Sequence, residues 1–430
     1  MDTSLFQPFY DSSGICTDTR AIAKDSLFIC IKGANFDGNT FAQDALNAGA
    51  KHVILDDPTY YSDQEHMTLV DDSVLYLQKL ANFHRRKFDI PIIGITGSNG
   101  KTTSKELIHA VLSKKYNVLA TQGNLNNHLG VPFTLLNLNE GHEIAIIEMG
   151  ANKFKDIEEL SDIAEPNYGI ITNIGKAHLE GFINFEGVLT TKKELFDAIE
   201  KNQGSIIINS DDPVLTGILP KTVDAVTFGT NESADITGEL KNLSPFVEMT
   251  WKTNQYTSPI LKTQMVGKYN FYNYLAAAAF GHLFNVEPSL ISEAIEEYAP
   301  TNNRSQIKKT QENTLILDCY NANPSSMRLA LESFALNPQE KKLAILGSMK
   351  ELGAESSEQH QDIIGQLEKS GISAFLVGEE FENLTSNAVK QWFETTADLQ
   401  KHLLNSPITD HLILLKGSRS IGLEVLEKNL

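Results

Sequence analysis

Ile90-Pro91-Ile92-Ile93-Gly94-Ile95-Thr96-Gly97-Ser98-Asn99-Gly100-Lys101-Thr102-Thr103 is the stretch on which the fold turns. Residues 90–95 are an apolar run of strand character, residues 96–103 read as a phosphate-binding loop, and Leu107, Ile108, Val111 and Leu112 follow as a helical stripe. Strand, loop and helix in that order are the context such a loop requires. Gly97 and Gly100 let the loop backbone, through Ser98, Asn99 and Thr103, close its N–H groups around phosphate oxygens. Lys101 would neutralise the β- and γ-phosphates, and the Thr102 hydroxyl suits Mg²⁺. The usual spacing asks for glycine at position 95, where Ile95 stands, while Gly94 falls one residue early, so the loop is a shorter variant.

Outward from the loop, 430 residues are enough for about three domains, each with its own core. A formal charge of −19 with no compensating Lys/Arg block argues against a nucleic-acid partner, although a few local cations would still hold ATP. No apolar stretch is long enough to span a bilayer, and residues 1–10 lack the basic and apolar regions of a signal peptide, so a cytoplasmic chain without stable membrane insertion is expected. Cys16, Cys30 and Cys319 are odd in number and widely spaced, which fits neither a disulfide framework nor a thiolate zinc site.

Three α/β blocks are expected, at residues 1–89, 90–299 and 300–430. In the first, 26–31 and 51–55 read as strands around a helical segment at 40–48. The second carries the loop and apolar runs at 143–148, 168–172 and 205–209, which suit a parallel sheet covered on both faces. Their polar ends, Glu148, Thr172-Asn173 and Asn209-Ser210-Asp211-Asp212, are expected to converge on the loop, since ligands bind at the carboxyl ends of such strands. Residues 233–258 read as an antiparallel insertion or sheet edge. In the third block, 315–318, 343–346, 374–377 and 412–415 are strand candidates, and no Gly-x-Gly-x-x-Gly follows any of them.

The loop, Gly123-Asn124-Leu125-Asn126-Asn127, Glu148-Met149-Gly150, Thr172-Asn173 with His178, Lys192-Lys193-Glu194 and residues 270–273 together resemble, in order, the Mur ligases. These are ATP-dependent enzymes that form amide bonds in peptidoglycan synthesis. Asp318-Cys319-Tyr320-Asn321-Ala322-Asn323-Pro324-Ser325-Ser326-Met327 and Gly347-Ser348-Met349-Lys350-Glu351-Leu352-Gly353, with His360, are similar to the branch of the family that adds a dipeptide. The resemblance runs from Asp18-Thr19-Arg20 to Lys416-Gly417-Ser418-Arg419. It implies a central parallel-sheet P-loop ATPase-like domain between an N-terminal α/β substrate domain and a C-terminal Rossmann-like α/β domain. It also implies a monomer whose substrates are UDP-N-acetylmuramoyl-tripeptide and D-alanyl-D-alanine. The carboxylate would attack the γ-phosphate of ATP, and the dipeptide amine would then displace phosphate from the acyl phosphate.

Residue roles follow from the same resemblance. Glu148 would hold Mg²⁺, His178 a second Mg²⁺, and Lys192 would be the lysine that is carbamylated into an anionic metal ligand. The family usually has a small residue between that lysine and the glutamate. Here Lys193 stands there, so two adjacent lysines are candidates and order favours Lys192. Asn126 and Asn127 would meet the reacting carboxyl end or its phosphate. Asn270 and Asn273 match nucleotide positions, with Tyr269 where the family usually shows histidine. Arg304 would meet phosphate, and Asp318 ribose or metal-bound water, once the third domain closes. Asn321, Asn323 and Ser325 would shape the dipeptide side, and Lys416 and Arg419 would receive its carboxylate. Cys319 reads as a small filler. Thr19, Arg20, Asp37 and Gly38 match the region that grips the UDP-sugar.

Sister ligases that add one amino acid, and folylpolyglutamate synthase, share the loop variant and the chemistry, but the motif at 320–324 argues against both. A non-catalytic nucleotide switch needs no second metal site, so the joint presence of Glu148, His178 and Lys192 argues against that class.

Overall fold

The computed structural model describes residues 3–175, 179–182 and 184–430. Strands β1 (Ile15–Cys16), β2 (Leu27–Ile29), β3 (His52–Leu55) and β4 (Met67–Leu69) form a parallel sheet in that order. A second sheet contains β5 (Ile92–Thr96), β6 (Val118–Ala120), β7 (Ile144–Glu148), β8 (Tyr168–Ile171), β9 (Ser205–Asn209), β10 (Asp224–Gly229), β11 (Ile236–Asn242), β12 (Glu248–Lys252) and β13 (Leu261–Lys262). Its order is β13-β12-β11-β10-β9-β8-β5-β7-β6. The stretch read from sequence as an antiparallel insertion or sheet edge, 233–258, holds β11, parallel to β10 and paired antiparallel with β12, and the edge strand β13 lies just beyond it, antiparallel to β12. The third sheet has β14 (Gln306–Lys309), β15 (Thr314–Leu317), β16 (Lys342–Gly347), β17 (Ser373–Val377), β18 (Val389–Phe393) and β19 (Leu412–Lys416), ordered β14-β15-β19-β16-β17-β18. All its pairings are parallel except β14 with β15.

The central strands are apolar along their whole length because both faces are covered. Ala145 and Ile147 of β7 point to one core, with Leu195, Phe196 and Ile199 of the Phe185–Lys201 helix. Ile144 and Ile146 point to the other, with Leu107, Ile108 and Val111 of the Lys101–Leu112 helix and the alanine-rich Tyr269–Leu283 helix. Ala276, Ala277, Ala278 and Ala279 are all buried, and their small side chains let the two helices approach closely.

The first sheet does not stand apart from the second. Leu27, Ile29 and Ile54 share a continuous core with Leu77, Leu80 and Ala81 of the Ser73–Arg85 helix and with Val131, Leu135 and Leu160. Asp72 caps that helix, accepting from the Leu75 N–H at 2.8 Å. In contrast, the third sheet keeps its own two cores, joined from the central unit by Val266.

Two readings from sequence change in detail. The helical segment at 40–48 is a 3₁₀ turn, Gly38–Phe41, followed by the helix Ala42–Asn47. Strands β1, β4, β6, β10, β13, β14 and β18, which lack the long apolar runs that flag the others, fall outside the strands expected from sequence. None of the described helices is long and apolar enough to cross a membrane. Because Leu80 sits fully buried in the core shared by the first two sheets, Leu80→Ala should cost about 2–5 kcal/mol, measured by urea unfolding.

Candidate active site

The phosphate loop is shaped by the strand next to it. Ser98 N–H donates to the Asn173 carbonyl at 2.9 Å, and Asn99 N–H to Asn173 Oδ1 at 3.0 Å, so these two N–H groups, expected from sequence to face phosphate, are taken by the neighbouring strand end. In return, Thr172 Oγ1 and Asn173 Nδ2 donate to the Asn99 carbonyl at 2.6 and 2.9 Å. Gly97 has φ +148°, and a Cβ there would lie 2.0 Å from Thr172 Oγ1. Only glycine permits both the turn and the approach. Gly100, at φ +80°, starts the Lys101–Leu112 helix. Lys101 folds back, with Nζ donating to the Gly97 carbonyl at 2.6 Å. Burial lowers its ammonium pKa, Glu148 opposes that, and Arg304 adds to it. Two cations facing one volume call for a polyanion between them.

At the end of β7, Glu148 is 2% exposed. Its Oε1 accepts from Asn126 Nδ2 at 2.8 Å, and its backbone N–H donates to Thr121 Oγ1 at 3.0 Å. Glu148 Oε2 is buried with no partner among the described residues. An orphaned carboxylate oxygen is costly, and with the buried Thr102 hydroxyl in the same cleft the donors fit a hard divalent cation. Lys192, 3% exposed, donates from Nζ to Thr96 Oγ1 at 3.3 Å. Burial, reinforced by the Lys101 charge, pushes its pKa well below the usual lysine range. Lys193 instead faces outward and pairs with Asp197. Among the described residues no cluster of three or more His, Cys, Asp or Glu forms. His178 lies outside the described residues.

Across the cleft stands the third unit. Asn323 caps the Pro324–Ala335 helix, and its Nδ2 reaches Asn99 Oδ1 of the phosphate loop at 2.7 Å. Asp318 accepts from Lys416 Nζ at 2.6 Å and from Ser305 N–H at 3.0 Å. The Arg304 guanidinium lies 3.8 Å from the centre of the Tyr320 ring, and its Nε is buried without a partner among the described residues. Together these residues line a cleft of about 1090 Å³, which also takes in Asn126, Asn127, Asn270, Asn273, Asn321 and Ser325.

Several expected residues have other duties. Asn127 Oδ1 accepts from the Leu129 and Gly130 N–H groups and so caps the Gly130–Leu135 helix. Asn273 Nδ2 donates to Asn270 Oδ1 at 2.8 Å, while Asn273 Oδ1 accepts from Ser104. Lys416 lines the cleft but is paired to Asp318. Cys319 is buried and its thiol is pushed up to about 12, mainly by desolvation, which suits an inert filler.

Thr19, Arg20 and Asp37 sit on the first unit outside this cleft. Arg20 pairs with Asp18 in solvent, and Asp37 is held by Asn39 and Lys32. The third polar strand end, Asn209–Asp212 by sequence, also fails to converge. Strand β8 separates β9 from β5, and Asp211 accepts from Thr230 and Tyr272 instead. Thr96, Thr121 and Ser305 were missed as supports. Thr96 ends the apolar run and was visible as a strand-end hydroxyl, whereas nothing in the local pattern marks Ser305.

Comparison with known proteins agrees with this geometry. Residues 95–281 match the Mur ligase middle domain, 303–419 the Mur ligase glutamate ligase domain, and 11–85 the Mur ligase family catalytic domain. The chain is 34% identical to the UDP-N-acetylmuramoyl-tripeptide--D-alanyl-D-alanine ligase of Bacillus subtilis (strain 168), over 99% of this chain and 95% of that one. It is 32% identical to the protein of that name in Escherichia coli (strain K12), over 95% and 92%. Among solved structures, MurF from Acinetobacter baumannii superposes with a TM-score of 0.89 at 29% identity, covering 100% of this chain and 98% of that one. The MurF ligase of Thermotoga maritima in complex with ADP gives 0.87 at 26%, covering 96% of each.

Gly97→Ala should destabilise the chain by about 1–3 kcal/mol or more and weaken ATP binding at least about tenfold, read by calorimetry. Lys192 binds its proton less readily folded than unfolded, so the unfolded chain carries more protons and stability rises with pH toward the unfolded value of about 10.4. In bicarbonate-free buffer Lys192→Met should flatten that slope, gaining most at low pH, as urea midpoints across pH 6–10 would report.

Proposed function

The chain belongs to the Mur ligase family, and from its cleft we infer that it joins D-alanyl-D-alanine to UDP-N-acetylmuramoyl-tripeptide at the expense of ATP. One observation carries the reading at the level of residues. Asn323, inside the stretch that resembles the dipeptide-adding branch, is bonded directly to Asn99 of the phosphate loop. The side that receives the dipeptide and the side that activates the carboxylate thus face a single volume.

In the first step an oxygen of the tripeptide's terminal carboxylate attacks the γ-phosphorus of ATP. The bond to the β-bridging oxygen breaks, leaving ADP and an acyl phosphate. Lys101 and the N–H groups at the start of the Lys101–Leu112 helix hold the phosphates, and Arg304 neutralises charge from the opposite wall. Thr102, Glu148 and Lys192 as its carbamate would hold Mg²⁺, with His178 at a second ion. Bound there, Mg²⁺ would neutralise phosphate charge and align the transfer. Asn126 keeps Glu148 aimed by occupying its other oxygen. In the second step the dipeptide amine attacks the acyl carbon, a tetrahedral intermediate forms, phosphate departs with the C–O electron pair, and the nitrogen releases a proton. Asn126 and Asn127 line the side where that oxyanion develops. The third unit, closing with Asp318 and Asn321, Asn323 and Ser325, keeps water from the acyl phosphate.

Carbamylation needs the free amine, and burial, by lowering the pKa of Lys192, favours it there; Lys193 faces outward and is paired with Asp197 instead. The proposal includes division at residues 1–89, 90–299 and 300–430, the first holding the UDP-sugar with Thr19, Arg20 and Asp37. It also includes action as a cytoplasmic monomer.

Phosphate release with UDP-N-acetylmuramoyl-tripeptide should require D-alanyl-D-alanine and yield a UDP-linked pentapeptide by mass. D-Alanine alone, or folate with glutamate, should give nothing, and product with either would move the chain to a sister family. Glu148→Ala and Lys192→Ala should each lower kcat by about 10²–10³-fold or more, while Lys193→Ala stays near the parent rate. A carbamate signal in ¹³C NMR with labelled bicarbonate should be present in the parent and lost in Lys192→Ala.

A further inference from the structure

Arg304 is one of the cations that the third unit presents to the cleft, with Lys350, Lys416 and Arg419, and its backbone is unusual on both sides. Asn303 has φ +55° and Ser305 φ +53°, so two left-handed residues bracket it. Neither is glycine, so each conformation costs energy and must be held by its surroundings. Ser305 is 3% exposed and is gripped twice. Its N–H donates to Asp318 Oδ1 at 3.0 Å, and its Oγ is 2.7 Å from the hydroxyl of Tyr269.

That second bond crosses between units. Tyr269 opens the Tyr269–Leu283 helix of the central unit, directly before Asn270, whereas Ser305 leads into β14 of the third. The tyrosine itself is firmly seated, since a Cβ on Gly267 would lie 2.5 Å from its ring. Burial and the charge of Asp318 raise the phenol pKa, so the group stays a neutral hydroxyl able to bond Ser305. On its far side the Arg304 guanidinium rests on the Tyr320 ring.

We propose that Tyr269 is a positioning residue for Arg304: its hydroxyl clamps the left-handed turn at Ser305 and so fixes the direction in which the third unit presents that guanidinium to ATP. The proposal rests on the reading of Arg304 as a phosphate contact. It gives the tyrosine a task that needs the phenolic oxygen and not merely the ring. Without the clamp, Ser305 relaxes toward ordinary backbone angles and Arg304 swings from the phosphates, while the dipeptide side is untouched.

Steady-state kinetics of Tyr269→Phe, Ser305→Ala, the double variant and Arg304→Ala test it, alongside thermal melting. Tyr269→Phe and Ser305→Ala should each raise KM for ATP about five- to tenfold, leave KM for D-alanyl-D-alanine within about twofold, and combine to no more than the larger single effect. A parent-like KM for ATP in Tyr269→Phe, or single effects that multiply in the double variant, overturns the proposal if Arg304→Ala still impairs ATP use. Parent-like kinetics in Arg304→Ala would instead overturn the phosphate role of Arg304 and the proposal with it. Should Tyr269→Phe not fold, Ser305→Ala, which removes the hydroxyl and keeps the cost of the left-handed turn, carries the same expectation and the same refutation.

Discussion

Asn99 is held on three sides, and the cleft takes its form from that grip. Its N–H and carbonyl are bound by Thr172 and Asn173 at the end of β8, and its side-chain oxygen accepts from Asn323 of the third unit. A loop of this kind has no regular ladder to hold its backbone, so the neighbouring Thr172 and Asn173 bind it instead. The same residue that fixes the loop also registers the opposite wall. Loop geometry and domain closure are therefore one arrangement.

Around that grip the charges are arranged at the cost of local balance. Lys101 and Lys192 repel each other in a desolvated space, and Glu148 carries a buried oxygen with no partner among the described residues. Stability alone would not select such a set, because each group is destabilised by burial. On the function proposed above, phosphates would relieve the cations and a metal ion the carboxylate. Strain of this kind stored at a site is a common companion of function.

Strands buried on both faces were legible because their apolar runs are unbroken. The reading of β9 at 205–209 coincides with the observed strand, and β5 with its loop and helix stands where the pattern put it. Three-residue strands such as β4 and β6 were not, since their pairing depends on neighbours distant in sequence. In the site, Lys101, Glu148 and Lys192 stood out as motif residues, but which of two adjacent lysines is buried depends on the helix face, visible only once Phe185–Lys201 packs. The convergence expected of Asn209 to Asp212 failed because strand order, not strand chemistry, sets distance from the loop. Ser305 was illegible because a left-handed serine leaves no compositional mark.

Two helices begin at this cleft, Lys101–Leu112 just after Asn99 and Pro324–Ala335 just after Asn323. Bonding those two asparagines sets the helix starts against each other, each with roughly half a positive charge from aligned peptide dipoles. In a chain of net charge −19 the two helix starts thereby add positive potential to the cleft from the backbone rather than from exposed lysines. Because this field comes from backbone inside the protein, salt screens it far less than it screens a surface patch, and attraction for an anionic nucleotide persists at ionic strengths that would silence one.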